Sequence, residues 1–289
     1  MMKLSHESKV RLGVGIGAFV LIIGLVFGLS RMLIHFDEPW NLGAVAIDWP
    51  GKSSGNYSAR PQQLSSETFD ADAFTSLDLD VTSSTVEVKH VSGGPVRVIE
   101  SGRVAKGTTA YDAATQNLAE IKGSTLKIRQ FDCDDERAID RTVTIELPRE
   151  VADNMVGITA SVGSGDLTVA GIACHDLNLT LDSGDVEFTG TVTDTLNAEV
   201  GSGDVTLELY QAPAKSMDVS VESGDVEITV PHSTGFKASL TVGSGDFESD
   251  FLPLGYDGET ILNHEFDNGD KSATYRFEVG SGDMSFNSE

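Results

Sequence analysis

The chain of 289 residues is poor in cysteine, proline and aromatic residues, with two, eight and 7%. Two cysteines exclude a disulfide-dense mini-scaffold and a cysteine-rich zinc module. Basic residues are scarce as well. Twenty Lys+Arg stand against 45 Asp+Glu, a formal net charge of −25, which excludes the basic footprint that nucleic-acid binding needs. The six histidines, His6, His35, His90, His175, His232 and His264, form neither HExxH nor another metal spacing. There is no Walker loop. The GSGD segments at 163–166 and 201–204 do not open a helix, so they are poor phosphate cradles. A hydrophobic fraction of 39% is nonetheless too high for a disordered acidic tail, and a folded core is expected.

The shortage of bases is uneven. From Glu150 onward there are 26 acidic residues and four basic ones, Lys215, Lys237, Lys271 and Arg276, a net −22. The first 149 residues hold 19 acids and 16 bases, a net −3.

Residues Leu12 to Leu29 carry no charge, and the apolar stretch runs on past Arg31 to Ile34. At 1.5 Å per residue this length suffices to cross a ~30 Å hydrocarbon core as a helix. Lys3, Lys9 and Arg11 precede it, which predicts the N-terminus inside and the bulk of the chain outside. A cleaved signal peptide is the alternative, but its apolar core is normally shorter and ends in a small-residue cleavage site. Gly13, Gly17, Gly24 and Gly28 share one helical face as two GxxxG pairs, a surface suited to homodimerisation within the membrane. The organisation read from the sequence is therefore a cytoplasmic tip and transmembrane anchor over 1–34, a stalk over 35–76 and a repeat domain over 77–289. The stalk is broken by Pro39, Pro50 and Pro61, and its Trp40, Trp49 and Tyr57 suit packing on the membrane or on the domain.

The repeat is explicit. Ser-Gly-Asp occurs six times, ending at Asp166, Asp185, Asp204, Asp225, Asp246 and Asp283, with spacings of 19, 19, 21, 21 and 37. The last spacing reads as two repeats with one degenerate or inserted copy. Four residues before each Asp stands an apolar side chain: Val162, Leu181, Val200, Val221, Val242 and Val279. Immediately after each stands another: Leu167, Val186, Val205, Val226, Phe247 and Met284. Alternation through Leu177, Leu179 and Leu181, and through Met217, Val219 and Val221, has a period of two, the mark of strands with one buried face. Leu77 to Val88 repeats the alternation without Gly-Asp. Further strands are expected at Val96 to Ile99, Leu126 to Ile128 and Val143 to Leu147, with a short helix within Tyr111 to Glu120.

Two arrangements fit strand–turn–strand units of this size. The expected fold class is all-β, a single-stranded parallel β-helix in which like residues stack coil on coil. The alternative is an antiparallel β-sandwich of hairpins. Near-identity of successive units favours stacking, because a solenoid gives every repeat the same surroundings.

The units "LNLTLDSGDVEFTG" and "MDVSVESGDVEITV", preceded by "TVTIELPREV" and an N-terminal anchor, resemble the bacterial candidate-adhesin family of β-strand-repeat proteins. Its membrane-anchored members include the LiaG type, linked to envelope stress systems. The resemblance covers roughly Leu77 to the C-terminus. It implies an extracytoplasmic β-helix of the cell envelope that binds or scaffolds, and it brings no catalytic residues.

The sharpest candidate site is a column of carboxylates. Stacked coils would bring Asp166, Asp185, Asp204, Asp225 and Asp246 about 4.8 Å apart, where a bridging calcium ion is one reading and structural turns are the other. The nine-residue GGxGxD repeat and the EF-hand loop are both absent. A carbohydrate-active enzyme is a weaker reading, since repeated carboxylates pair by chance. Cys133 and Cys174 lie on the expected oxidising side, where a disulfide is chemically available. The expected partners are the membrane, an envelope protein or a glycan, and a second copy through the four glycines.

Overall fold

A computed structural model of the protein describes residues 56–130, 137–251, 264–269 and 272–289. These belong to one of the two units into which the chain divides, Ser53–Glu289. The expected anchor, with its four glycines, lies outside the described residues. Among the described residues, no helix is long and apolar enough to cross a membrane.

Each Ser-Gly-Asp corner separates two strands that lie in different stacks. The first stack contains, in spatial order, Thr125–Gln130 (β6), Ser76–Val81 (β2), Met155–Val162 (β8), the second halves of Leu167–Leu181 (β9) and Val186–Val200 (β10), Ser216–Val221 (β12), Ala273–Val279 (β17) and Phe236–Val242 (β14). The second stack contains Ala138–Pro148 (β7), Thr85–Val91 (β3), the first halves of β9 and β10, Val205–Gln211 (β11), Val226–Val230 (β13), Met284–Ser288 (β18) and Phe247–Ser249 (β15). All these neighbours pair in parallel, so the two strands flanking a corner pair with adjacent units and not with each other. Both β9 and β10 run 15 residues, linking the second stack of one unit to the first stack of the next.

The alternation of the sequence becomes a two-sided wall. Inward positions such as Leu177, Leu196, Met217, Phe188, Leu207 and Ile228 are fully buried. Each such side chain contributes on the order of 2 kcal/mol by leaving water. The core is aliphatic along most of its length. Apart from Phe74 and Phe188, its buried aromatic residues gather at one end, where Phe236 stacks on Tyr275 with ring centroids 5.0 Å apart and meets Phe251 edge-on at 5.1 Å. The Tyr275 hydroxyl donates to the Pro213 carbonyl at 2.9 Å, which satisfies a phenol whose pKa burial raises.

Sequence order and spatial order part at both ends. The unit β17–β18 is inserted between β12–β13 and β14–β15, and His264–Asn268 (β16) pairs antiparallel with β14. This is how the spacing of 37 arises. Likewise β2–β3 lies between β6–β7 and β8–β9. At that end Val96–Val104 (β4) pairs antiparallel with β7, and Gln62–Phe69 (β1) pairs antiparallel with β4. Thus β1, inside the segment expected as stalk, is a strand of this unit, and Tyr57 forms a β-bridge with Ala105. Ala119–Lys122 (β5) flanks β6. The expected helix within 111–120 is one turn, Ala110–Ala113 (α1), capped by the Thr109 side chain. A second turn, Arg149–Ala152 (α2), leads into β8.

Candidate functional site

Each residue of the repeated triplet has a separate physical reason. The serine hydroxyl donates to a backbone carbonyl of the adjacent unit: Ser183 to Gly163 at 3.3 Å, Ser202 to Asp182 at 3.1 Å, Ser223 to Gly201 at 3.1 Å and Ser281 to Glu222 at 3.0 Å. The glycine is there for space. A Cβ on Gly203 would lie 1.8 Å from the Gly184 carbonyl oxygen, and one on Gly184 would lie 1.7 Å from that of Gly165. No side chain fits such a stack. The aspartate carboxylate accepts the backbone N–H of the next aspartate in the column. Asp185 donates to Asp166 Oδ1 at 3.4 Å, Asp204 to Asp185 at 3.2 Å, Asp225 to Asp204 at 3.2 Å, Asp283 to Asp225 at 2.9 Å and Asp246 to Asp283 at 2.9 Å.

The column therefore contains all five aspartates expected in it, with one change of order. Asp246 does not adjoin Asp225; Asp283 stands between them, because the chain's last unit is the inserted one. Burial raises the Asp204 carboxyl above its ordinary value, with the Asp225 and Asp185 charges adding to the rise and the Asp225 N–H opposing it. Among the described residues, no group of three or more His, Cys, Asp or Glu side chains is arranged to hold a metal ion.

The strand faces handle charge differently from the corner. Across the outer side of the second stack one register row reads Thr144, Glu87, Thr168, Glu187, Thr206, Glu227, Ser285, Glu248. Acid alternates with hydroxyl, so no carboxylate faces another on the adjacent strand. Like charges directly opposite are destabilising. At the corner carboxylates do stack, and there those of Asp166, Asp185, Asp204, Asp225 and Asp283 each accept an N–H that compensates.

The outer side of the first stack carries an open groove of about 620 Å³. Thr180, Asn197, Glu199, Asp218, Ser220, Arg276 and Glu278 line it. Asn197 Nδ2 donates to Asn178 Oδ1 at 2.8 Å across adjacent strands, and Arg276 pairs with Glu278. Leu181, Ala198, Val200 and Val219 also border it, and no aromatic ring does; the polar and acidic side chains suit it to hydrogen bonding.

Comparison with known proteins now bears on this geometry. The family model described as toastrack DUF4097 matches residues 53–287. The chain belongs to the toastrack DUF4097 family. Among solved structures, this toastrack chain is similar to a candidate cell adhesion protein from Clostridium sporogenes, at 13% identity and a TM-score of 0.44, over 80% of this chain and 100% of that one. It is similar to a candidate adhesin from Bacteroides fragilis, at 14% identity and a TM-score of 0.44, over 79% of this chain and 98% of that one. A third is a candidate lipid-binding protein from Parabacteroides distasonis, at 14% identity and a TM-score of 0.35, over 79% and 98%. No match to the chain is found among curated proteins.

The remaining polar residues of the toastrack domain divide into surface and structural groups. His232 Nδ1 lies 3.2 Å from Ser288 Oγ, and His90 lies against Gly171, whose φ of +69° only glycine adopts easily. Cys174 is a free, buried thiol that burial and the nearby Asp176 charge push up to about 12; Cys133 lies outside the described residues.

One constellation was not anticipated from the sequence. Glu100 is fully buried, yet accepts from Arg141 Nη1 at 2.6 Å, from the Thr115 hydroxyl at 2.6 Å and from the Thr115 N–H at 2.7 Å. Arg141 Nη2 donates to the Ala113 carbonyl at 2.8 Å. Together they clamp the α1 segment onto β4 and β7. The signal lay in the period: Val96, Val98, Glu100 and Val104 occupy the buried side of one strand.

Proposed function

We propose that this is a membrane-anchored, extracytoplasmic toastrack protein of the bacterial cell envelope that works by binding or scaffolding. In this reading the domain is a single-stranded parallel β-solenoid held outside the cell by residues 1–34, a cytoplasmic tip and transmembrane anchor. The observation that supports it best is the division of labour across the wall. The inner face is sealed by aliphatic packing and the corners by backbone-directed hydrogen bonds, which leaves the outward rows of short polar side chains, including the first-stack groove, free to meet a partner. The named adhesin relatives agree with such a role.

Crosslinking and pull-down from intact cells, comparing the full chain with anchor-only and domain-only forms, test the reading. The adhesion version expects a receptor or glycan captured through the domain. A LiaG-like regulatory version expects a membrane partner captured through the anchor or stalk. Capture by neither part, beyond background, rejects both.

For the aspartate column we propose the structural role, with calcium as the second reading. The Oδ1 atoms of Asp166, Asp185, Asp204, Asp225 and Asp283 are already committed to backbone N–H groups. Calorimetry with millimolar calcium is expected to give no heat of binding and no shift in melting temperature; a saturable heat lost in Asp204→Asn would favour the cation.

A further inference from the structure

Four strands border the two ends of the stack, each pairing with one neighbour among the described residues. They differ in how well they resist a new partner. β15 has three residues with Glu248, β16 has five with Glu265 and Asp267, and β5 has four with Glu120 and Lys122. Short, charged edges discourage pairing with another chain. β1 is unlike them. It has eight residues and no lysine or proline, and residues 56–58 extend its line along 104–106. Its exposed side chains, Gln62, Gln63, Ser66 and Thr68, are uncharged. Its single charge, Glu67, is half-buried and accepts the Ala119 N–H.

Charge decides who can approach this edge. Two copies of a −25 molecule repel, and −22 of that lies beyond residue 149. With a Debye length of about 8 Å at physiological salt, repulsion is felt locally, and the β1 end is the near-neutral end. The outward arginines of the neighbouring strand are neutralised in pairs, Arg97 with Glu146 and Arg103 with Asp140.

We infer that β1 is a homodimerisation edge, on which the β1 of a second copy pairs antiparallel about a two-fold axis at Ser66. This register sets Ser66 opposite the partner's Ser66 and Glu67 opposite the partner's Ser65. Shifting the axis to residue 67 would set Glu67 against the partner's Glu67, which like-charge repulsion disfavours. An isologous pairing of this kind closes on itself and does not propagate into a fibre.

The test uses the full chain in membranes, with Cys133→Ser as background. Opposed residues in an antiparallel pair have Cα atoms about 4.5–5.5 Å apart, within disulfide reach. Ser66→Cys is therefore expected to give a covalent dimer on mild oxidation, and Thr229→Cys, on β13, is expected to give none. Adding Lys at the edge instead, as Ser66→Lys, is expected to lower the dimer association constant by about tenfold or more, with a melting temperature unchanged at dilutions where the chain is monomeric, because Ser66 is exposed there. A dimer held by the anchor alone leaves Ser66→Cys uncrosslinked. Absence of the Ser66→Cys dimer, or a crosslink no stronger than that of Thr229→Cys, overturns the inference. So does an association constant unmoved by Ser66→Lys.

Discussion

Asp204 Oδ1 accepts the backbone N–H of Asp225 at 3.2 Å, across two units that are 21 residues apart in the chain. The carboxylate is thus part of the backbone ladder. Asp204→Ala removes the acceptor, and the expected loss is about 1 kcal/mol. Asp204→Asn keeps an oxygen in place and removes the repulsion from Asp185 and Asp225, so its stability should lie within about 0.5 kcal/mol of the wild type or above it. Urea denaturation of the two variants distinguishes a structural acceptor from a charge required as such.

Acid should help this residue. The folded-state carboxyl of Asp204 is raised above its ordinary value by burial, so between the unfolded and folded values the native state binds more protons than the unfolded one. Stability from this group therefore falls as pH rises through that window and is recovered as pH is lowered into it. The difference in melting temperature between Asp204→Asn and wild type is expected to be largest at neutral pH and to shrink towards the carboxylate range. A difference that widens on acidification contradicts the assignment.

Glycine at the corner is a matter of room. Gly203→Ala drives a methyl group into the Gly184 carbonyl, and the expected cost is roughly 3 kcal/mol or more. Gly93→Ala is the control, since a Cβ there meets nothing within 4 Å; its effect should stay within about 0.5 kcal/mol. Thermal melts of both variants check the contrast.

The buried Glu100–Arg141 pair should respond asymmetrically. Arg141→Met strands a carboxylate that has no access to water, with an expected loss of about 3–5 kcal/mol. Combining it with Glu100→Gln removes the charge while an oxygen can still accept from Thr115, so the double variant should recover much of that loss. A double-mutant cycle that comes out additive would show that the two residues do not act as a pair.

Much of this architecture is legible in the sequence, for a reason the structure makes concrete. Apolar residues flanking each triplet, such as Leu181 and Val186, sit at equivalent buried places in every unit, and identical surroundings select identical residues. The order of the last two units is not legible. A spacing of 37 between Asp246 and Asp283 says that extra chain intervenes, but both units carry the same Ser-Gly-Asp triplet, so the triplet does not say which of them adjoins Asp225. The β1–β4–β7 end is hidden for the opposite reason: it is antiparallel and unrepeated, so no period announces it. For Glu100, the apolar partners Val96 and Val98 mark an inward position, yet its cation lies 41 residues away on another strand.

The inserted final unit also constrains how the molecule can be made. Units centred on Asp166, Asp185, Asp204 and Asp225 can dock one after another as the chain emerges from synthesis. β14 and β15 cannot follow suit. Their partners are β16, β17 and β18, the last strands of the chain. A nascent chain that has reached residue 251 therefore holds β14 and β15 without the strands that fix them, and the surface of β12–β13 waits open beside them. Only when β17 and β18 arrive do they fill that space and join both sides at once. The aromatic cluster of Phe236, Tyr275, Phe277 and Phe286 is assembled in the same step. Closure of this end is thus deferred until β17 and β18 have been made, and that unit acts as a closing wedge rather than as a last brick.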